Sequence, residues 1–564
     1  MQNLIETLAL VGLILVSLLR KKPAERTKPN PFLRWFLPVL RRPWTAFLLV
    51  GLLAFASSAL LTVSAGIRQP RVHDEFSYLL AADTFAHGRL TNPPHPLSRH
   101  FETFHVIQQP TYASKYPPAQ GLMLALGQVL TGYPIVGIWL SVGLACAAIC
   151  WMLAGWCPLR WALLGSLAAL MGIVFSQSPY GLAYWSHSYW GGAVAALGGA
   201  LVFGALPRIM KKQRVRDALW LALGLAILAN SRPFEGLVAS IPVGVVLGIW
   251  IIRTRCIDWR TRFLRVVLPM TLILLLTASW MGFYNFRVTG NPFLMPYQFH
   301  ESTYAMVPAF LLQPLNSEPK YSHKSLCDFS RIYVNTYLKK RTVKGFVYSF
   351  TGNIAQFWLA FFGIIFVPSM LFLAVPRKVW RRQNVMFPAG ICTLMIMALL
   401  TETWCQKHYF APVTCLAFLL VVESLRQARR FTWRDKPVGQ HFVHGVLPML
   451  LVSAIASFAL AHSPQHPSAS YWYMDRARVV RELKQGQDRH LVIVRYGPNH
   501  SPLEEWVYNR ADIDNAKVVW AREMGPQSDR ELIDYFKDRN VWLLQADQLP
   551  RRLMPYPRGL LTSK

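Results

Sequence analysis

Acidic residues are scarce in this chain: Asp and Glu number 28 against 59 Lys and Arg, and all charged residues together make up only 15% of 564. A soluble chain of this length would need far more charge to cover its surface, so lipid is the main solvent the composition allows. Metal-spaced cysteines are also missing. Of eight cysteines, Cys146, Cys150, Cys157, Cys392 and Cys415 lie in or beside apolar runs, where Cys serves as a small hydrophobe. Only Cys327 and Cys405 are placed for an oxidising compartment, and spacing cannot show whether they meet. No Gly-rich phosphate loop follows a strand, which leaves a nucleotide site without support. No internal repeat with paired broken helices is visible, and that counts against a transporter.

What is present in quantity is apolar sequence, 53% of the chain. Runs long enough to cross a hydrocarbon core of about 30 Å stand near 43–66, 133–155, 159–176, 187–206, 215–231, 236–253, 263–283, 355–375, 385–401, 408–425 and 443–462. They predict an all-α polytopic protein with about eleven transmembrane helices. The run before them, Leu4 to Leu19, reads as a retained helix that either spans or lies at the interface.

The net charge of +31 would suggest nucleic acid in a soluble protein. Here the basic residues cluster between apolar runs: Arg20, Lys21 and Lys22; Arg41 and Arg42; Lys211, Lys212, Arg214 and Arg216; Arg253, Arg255, Arg260 and Arg262; Arg377, Lys378, Arg381 and Arg382; Arg426, Arg429 and Arg430. Such clusters mark cytoplasmic loops, and no soluble basic domain remains for nucleic acid. Alternation then places outside the segments 67–132, 177–186, 232–235, 284–354 and 402–407, and everything after about 463. The expected domains are an N-terminal helix with a basic cytoplasmic segment (1–42), a transmembrane domain (43–462) with outer loops 67–132 and 284–354, and a small extracytoplasmic α/β domain (463–564). The last rests on strand-like runs at 491–496, 517–520 and 541–544, alternating with helix-like runs at 503–509 and 530–536.

Candidate chemistry begins after the first long run, with R-V-H-D-E-F-S-Y at 71–78. Asp74 and Glu75 are adjacent carboxylates; on a helix Asp74, Ser77 and Tyr78 share a face and Glu75 points elsewhere. Acidic residues at a helix start are also simply stabilised by the positive end of its dipole. Downstream, K-Y-P-P-A-Q-G-L-M-L-A-L-G at 115–127 sets Lys115 and Tyr116 before an extended Pro-Pro step into a second helix. Two further turns carry polar groups: N-S-R-P-F-E-G at 230–236, with Arg232 and Glu235, and T-E-T-W-C-Q-K-H-Y at 401–409, with Glu402, Lys407, His408 and Tyr409. Membrane-edge Arg and Lys often only snorkel, so each has an anchoring role as its alternative.

The acidic pair after the first span, the Tyr-Pro-Pro step and the closely spaced spans resemble the GT-C glycosyltransferases, the superfamily of protein O-mannosyltransferases and lipid A aminoarabinose transferases. The resemblance covers about 43–425 and implies transfer of a sugar from a polyprenyl-phosphate donor to an extracytoplasmic lipid, glycan or protein acceptor, in a multi-pass bacterial inner-membrane enzyme. Its specific part is confined to Asp74-Glu75 and Tyr116-Pro117-Pro118. Asp74 is the expected base, with Glu75 orienting it or holding a metal, and Arg232, Lys407 and His408 the expected partners of the phosphate. One feature departs from the pattern. Many relatives carry a second acidic site in the turn after the third span, but the turn 176–192 here holds no carboxylate. A divalent metal is therefore left open, with His187 a speculative replacement for the missing carboxylate. His73, His87, His95, His100 and His105 match no zinc spacing. The aromatic cluster Tyr184, Trp185, Tyr189 and Trp190 suits an interfacial belt or a stacked sugar. The rival readings are a transporter or lipid flippase, and a non-catalytic assembly protein displaying its tail.

Overall fold

A computed structural model of the chain describes residues 2–19, 42–175, 177–178, 181–182, 184–254, 257–374, 383–461 and 471–557. The basic residues Arg20, Lys21, Lys22, Arg41, Arg255, Arg377, Lys378, Arg381 and Arg382 lie outside the described residues, as do Ser176, Pro179 and Tyr180 of the turn 176–192. The chain is mostly helical and forms two compact units: Met1–Gly66, Ile135–Ser279 and Val343–Ser463 make the first, and Ile67–Pro134, Trp280–Thr342 and Pro464–Lys564 the second.

Each of the eleven apolar runs lies largely in helix. By length and composition, seven helices among the described residues can cross a membrane: Pro43–Ala65, Ile135–Trp156, Ala193–Lys212, Pro233–Arg253, Trp259–Thr289, Lys407–Ala428 and Val438–Leu460. Leu159–Val174 and Gln383–Ala398 are apolar but shorter, and the run 355–375 is divided between Val343–Phe361 and Val367–Ala374, with Gly363 in a left-handed conformation between them. The described basic clusters stand at helix ends. Lys211 and Lys212 close one helix, Arg214 caps the next, and that helix, Val215–Ala229, finishes at the turn that carries Arg232. Lipid-length helices need no polar partner on their outer face, and Trp259–Thr289 accordingly exposes Leu272, Leu275 and Leu276.

In the second unit the tail forms a four-stranded sheet in the order Val518–Arg522, His490–Arg495, Asn540–Gln545, Leu553–Pro555; the first three strands are parallel and the last antiparallel. Period-two alternation sends Leu491, Ile493, Val519 and Leu543 to one face and Val492, Val494, Trp520 and Leu544 to the other. Both faces are covered, as parallel strands require: the first by Leu80, Phe101, Val106 and Tyr112, the second by Phe76, Trp472 and Trp506. The tail therefore shares its core with the segment 67–134. The helix-like run at 503–509 is not a helix; Trp506 and Val507 are fully buried in a segment without regular secondary structure. There the buried Glu505 accepts from Tyr496 and Arg522, a long-range pairing that outweighs local propensity. Cys327 is a free thiol, so it is not bridged to Cys405.

Candidate functional site

The helix His73–Ala86 carries the acidic pair and is held from several directions. Ser77 Oγ donates to the His105 carbonyl (2.6 Å) and lies 2.7 Å from Ser114 Oγ. Asp83 accepts from the Ala511 amide (2.9 Å) and from Gln128 Nε2 (3.0 Å). The second helix, Pro118–Thr131, begins on Pro118 at its first turn, where the missing N–H costs nothing. It crosses the first so closely at Gly121 that a Cβ there would lie 2.7 Å from that of Ala81. The Tyr-Pro-Pro step is thereby fixed beside the start of the acidic helix.

The two carboxylates part company. Glu75, 2% exposed, turns back and accepts the amide N–H of Arg71 (2.8 Å) and of Val72 (3.4 Å), the reach of an acidic residue at the third position of a helix. Asp74 is half-buried, and its Oδ1 accepts a short hydrogen bond from the Tyr116 hydroxyl. Its Oδ2 accepts no hydrogen bond from a described residue. Burial, and then the charge of Asp74, hold the Tyr116 phenol well above its usual 10, so Tyr116 stays a donor. Tyr78 stacks on Tyr116, centroids 4.4 Å apart: it bears on Asp74 through the second tyrosine.

Lys115 points to a residue that sequence reasoning did not single out. Its Nζ is 2.9 Å from Glu301 Oε1, with both side chains largely buried, and its ammonium lies 4.8 Å from the Tyr297 ring centroid. Glu301 sits on the helix Pro296–Tyr304, inside what reads as a featureless loop 284–354; Pro296 in the first turn was the signal that marks it. Burial and then the charge of Lys115 bring the neighbouring His300 down to about 4. His73, buried with Nδ1 2.7 Å from the Tyr508 hydroxyl, is also lowered by burial to about 4.

In the first unit the two polar turns and the aromatic turn meet. Arg232 caps Pro233–Arg253; its Nη1 is 3.4 Å from Glu235 and its guanidinium 4.4 Å from the Tyr409 ring centroid. Tyr184 and His408 Nδ1 are 2.5 Å apart, and Trp190 lies 5.3 Å from the His408 ring. The 3-10 segment Lys407–Val413 can lie this deep because Gly199 has no side chain: a Cβ there would fall 1.9 Å from the Pro412 carbonyl oxygen. Lys407 and Glu402 are half-buried in the same stretch.

Asp74 and Glu75 serve Tyr116 and the helix start, and His187 Nδ1 lies 3.1 Å from Thr62 Oγ1. Among the described residues no three His, Cys, Asp or Glu side chains gather as a ligand set.

These features define a mostly helical, multi-pass membrane protein with an α/β unit built from two of its loops and its tail. No protein-family model and no curated protein matches the chain. Among solved structures it is similar to ArnT from Cupriavidus metallidurans, in the apo state (14% identity, 88% of this chain and 92% of that chain, TM-score 0.46) and bound to undecaprenyl phosphate (13%, 88% and 92%, 0.47). It is also similar to the archaeal oligosaccharyltransferase AglB from Archaeoglobus fulgidus, in complex with an inhibitory peptide and a dolichol-phosphate (11%, 88% and 69%, 0.45). The likeness is remote, and the chemistry of this chain has to stand on its own side chains.

Proposed function

We propose that the chain is a membrane glycosyltransferase that moves a sugar from a polyprenyl phosphate to a hydroxyl-bearing extracytoplasmic lipid, glycan or protein acceptor, with inversion. The observation that carries this reading is Asp74: one carboxylate oxygen is held by a tyrosine that cannot ionise near neutral pH, and the other accepts from no described residue. A general base needs that combination of fixed orientation and an available lone pair. In the reaction the acceptor oxygen attacks the anomeric carbon as the bond from that carbon to the phosphate oxygen breaks. The electron pair leaves with the phosphate and the acceptor proton passes to Asp74. The phosphate is stable as an anion, with a second pKa of about 6, so it needs no general acid; the sugar passes through an oxocarbenium-like state, as in glycosidases. Glu75 keeps the helix start in shape. Arg232 is assigned to the phosphate, as a fork of five N–H donors, with Lys407 and His408 beside it in the sequence reading. About eleven spans, basic loops in the cytoplasm, a tail outside and a bacterial inner membrane complete the proposal.

The test uses purified full-length chain and a panel of radiolabelled polyprenyl-phosphate sugars, with release of lipid phosphate as the readout. Asp74→Asn keeps the Tyr116 contact and removes the proton acceptor, so transfer should fall by at least about 10²-fold with little change in donor binding. Glu75→Gln, which still offers an oxygen to the helix amides, should cost less. Full activity in Asp74→Asn removes the base and with it the mechanism.

A further inference from the structure

One basic run is left over by the proposed topology. Lys339-Lys340-Arg341-Thr342-Val343-Lys344 holds four cations in six residues, and between Asp328 and Glu402 the sequence has no acidic residue. The arrangement of spans puts this run outside, at the far end of the loop 284–354, and a loop that long crosses the membrane largely regardless of its charge. The run therefore does not serve to orient the chain, and its chemistry needs another account.

The helix Lys324–Lys340 shows how part of the charge is presented. Its inner face carries Tyr333 and Tyr337, packed with Val307 and Leu311. At 3.6 residues per turn, Arg331, Ile332, Asn335, Leu338 and Lys339 share an arc of about 120° on the other side. All five are exposed, Ile332 at 44% and Leu338 at 50%. Neither Arg331 nor Lys339 has an ion pair among the described residues; Asp328, the one acid on the same arc, is half-buried. Just past the helix Arg341 is exposed as well, its Nη1 donating to the Tyr337 hydroxyl at 2.7 Å.

A bare stripe of cations and large apolar side chains suits neither open water nor the hydrocarbon core. It suits the layer between them, where Ile and Leu seat at the acyl boundary while Arg and Lys reach headgroup phosphates along their apolar stems. Connectivity puts the stripe near that depth. The next helix, Val343–Phe361, begins directly after Thr342 and leads into the apolar run 355–375. Its first turns leave Val343 84% and Tyr348 78% exposed, as side chains covered by a bilayer surface are when the lipid is taken away. One half-buried acid stands against Arg331, Lys339 and Arg341, so the net charge of the stripe selects an anionic headgroup over a zwitterionic one.

We propose that the outer stripe of the helix Lys324–Lys340 lies on the bilayer and binds the headgroup phosphates of anionic phospholipid through Arg331, Lys339 and Arg341. This holds whether or not the chain transfers a sugar. The test uses full-length chain with Cys256→Ser, Cys327→Ser and Asn335→Cys, labelled with a fluorophore at position 335; the remaining cysteines are buried. It is placed in nanodiscs of phosphatidylcholine and phosphatidylglycerol, and each lipid in turn carries a spin label at the top of an acyl chain. At equal mole fraction, quenching at 335 should report phosphatidylglycerol enriched about five-fold or more over phosphatidylcholine, the ratio that a single surface cation supplies. Salt at about 0.5 M should erase the excess, a readout that needs no further variant. Arg331→Gln with Lys339→Gln, which leaves Arg341 on Tyr337 and alters no packed side chain, should bring the enrichment to within about two-fold of parity. No quenching by either lipid would take the helix off the bilayer. Equal quenching by both, or an excess that survives the double variant or the salt, would remove the charge preference. Loss of the excess to a water-soluble anionic polysaccharide at constant ionic strength would give the stripe to a free polyanion. Each of these results overturns the proposal.

Discussion

Replacing Lys115 by Met should do more harm than removing Lys115 and Glu301 together. The two side chains are 6% and 17% exposed and their charged atoms 2.9 Å apart. Burial alone would push the Glu301 carboxyl up; Lys115, and then His300, outweigh it and hold it at about 2 instead of the ordinary 4.5. At about 1.4 kcal/mol for each tenfold change, that difference is worth roughly 3 kcal/mol of stability. Methionine preserves the apolar stem of Lys115 but leaves Glu301 a buried charge with only His300 beside it, a loss of about 3–5 kcal/mol. Lys115→Met with Glu301→Leu removes both charges at similar volume and should fall within about 1 kcal/mol of wild type, because a buried pair repays little more than its own desolvation.

The pH dependence separates the variants further. In the wild type the folded carboxyl lies below its unfolded value, so its contribution is complete above about pH 4.5 and is lost as pH falls toward 2. In Lys115→Met burial is opposed only by His300, so the carboxyl rises from its wild-type position, acid relieves the variant and its deficit shrinks as pH falls. Hydrogen exchange of the full-length chain in detergent reads this locally, at the amides of Pro296–Tyr304. The single variant should exchange about 10²- to 10³-fold faster than wild type and the double variant within about ten-fold. A single variant as benign as the double, or a deficit indifferent to pH, would show that the pair is not a buried charge pair in solution.

Three other outcomes are expected. Arg232→Ala should lower kcat/KM for the donor about ten-fold or more, from loss of a charge-assisted phosphate contact of about 1.5–3 kcal/mol; unchanged kinetics would assign Arg232 to its packing on Tyr409. His73 and His300 titrate at about 4 when folded and near 6.5 when unfolded, so only the unfolded chain takes up protons between those values. Thermal stability should therefore fall as pH drops from 6.5 toward 4, and less so in His300→Gln; an identical profile in that variant would contradict the buried neutral imidazole. A cysteine placed at the exposed Asn515 should react with an impermeant reagent added to intact cells and one at the exposed Arg214 should not; the opposite pattern would invert the proposed topology.

Local pattern carried the helices and the strands of the tail, and it stopped where long-range contacts decide. Short continuous apolar runs were enough to find His490–Arg495 and Asn540–Gln545, because a strand with both faces buried shows itself in that way. The same reasoning failed at 503–509, where helical spacing of apolar residues was overruled by burial of Glu505 against Arg522. The candidate site divides in the same way. Asp74 and Tyr116 were both visible as motif residues, but the bond between them spans 42 positions, and i+4 spacing pointed to Tyr78 as the orienting group. Glu301 lies 186 positions from its lysine, and nothing local to either marks the other.

The acidic pair shows how a helix start turns two like residues into different tools. Adjacent side chains on a helix diverge by about 100°, so two carboxylates in the first turn cannot both face the same partner. The third helical position is the one from which a carboxylate reaches back to the unpaired amides of the preceding residues, and Glu75 occupies it. Asp74, one position earlier, is carried off that axis into the reach of Tyr116. The bland reading of an acidic helix start accounts for the contacts of Glu75; the Tyr116 contact of Asp74 is not one it calls for. The dipole explains why a negative charge is tolerated there; it does not explain a tyrosine brought across the fold to hold one oxygen of it. Exchanging the two residues, Asp74→Glu with Glu75→Asp, keeps both charges and the dipole term and shortens the cap by one methylene while lengthening the other arm. A helix start that only needs negative charge should accept this swap with full transfer activity, whereas a positioned base should lose at least about 10²-fold in kcat.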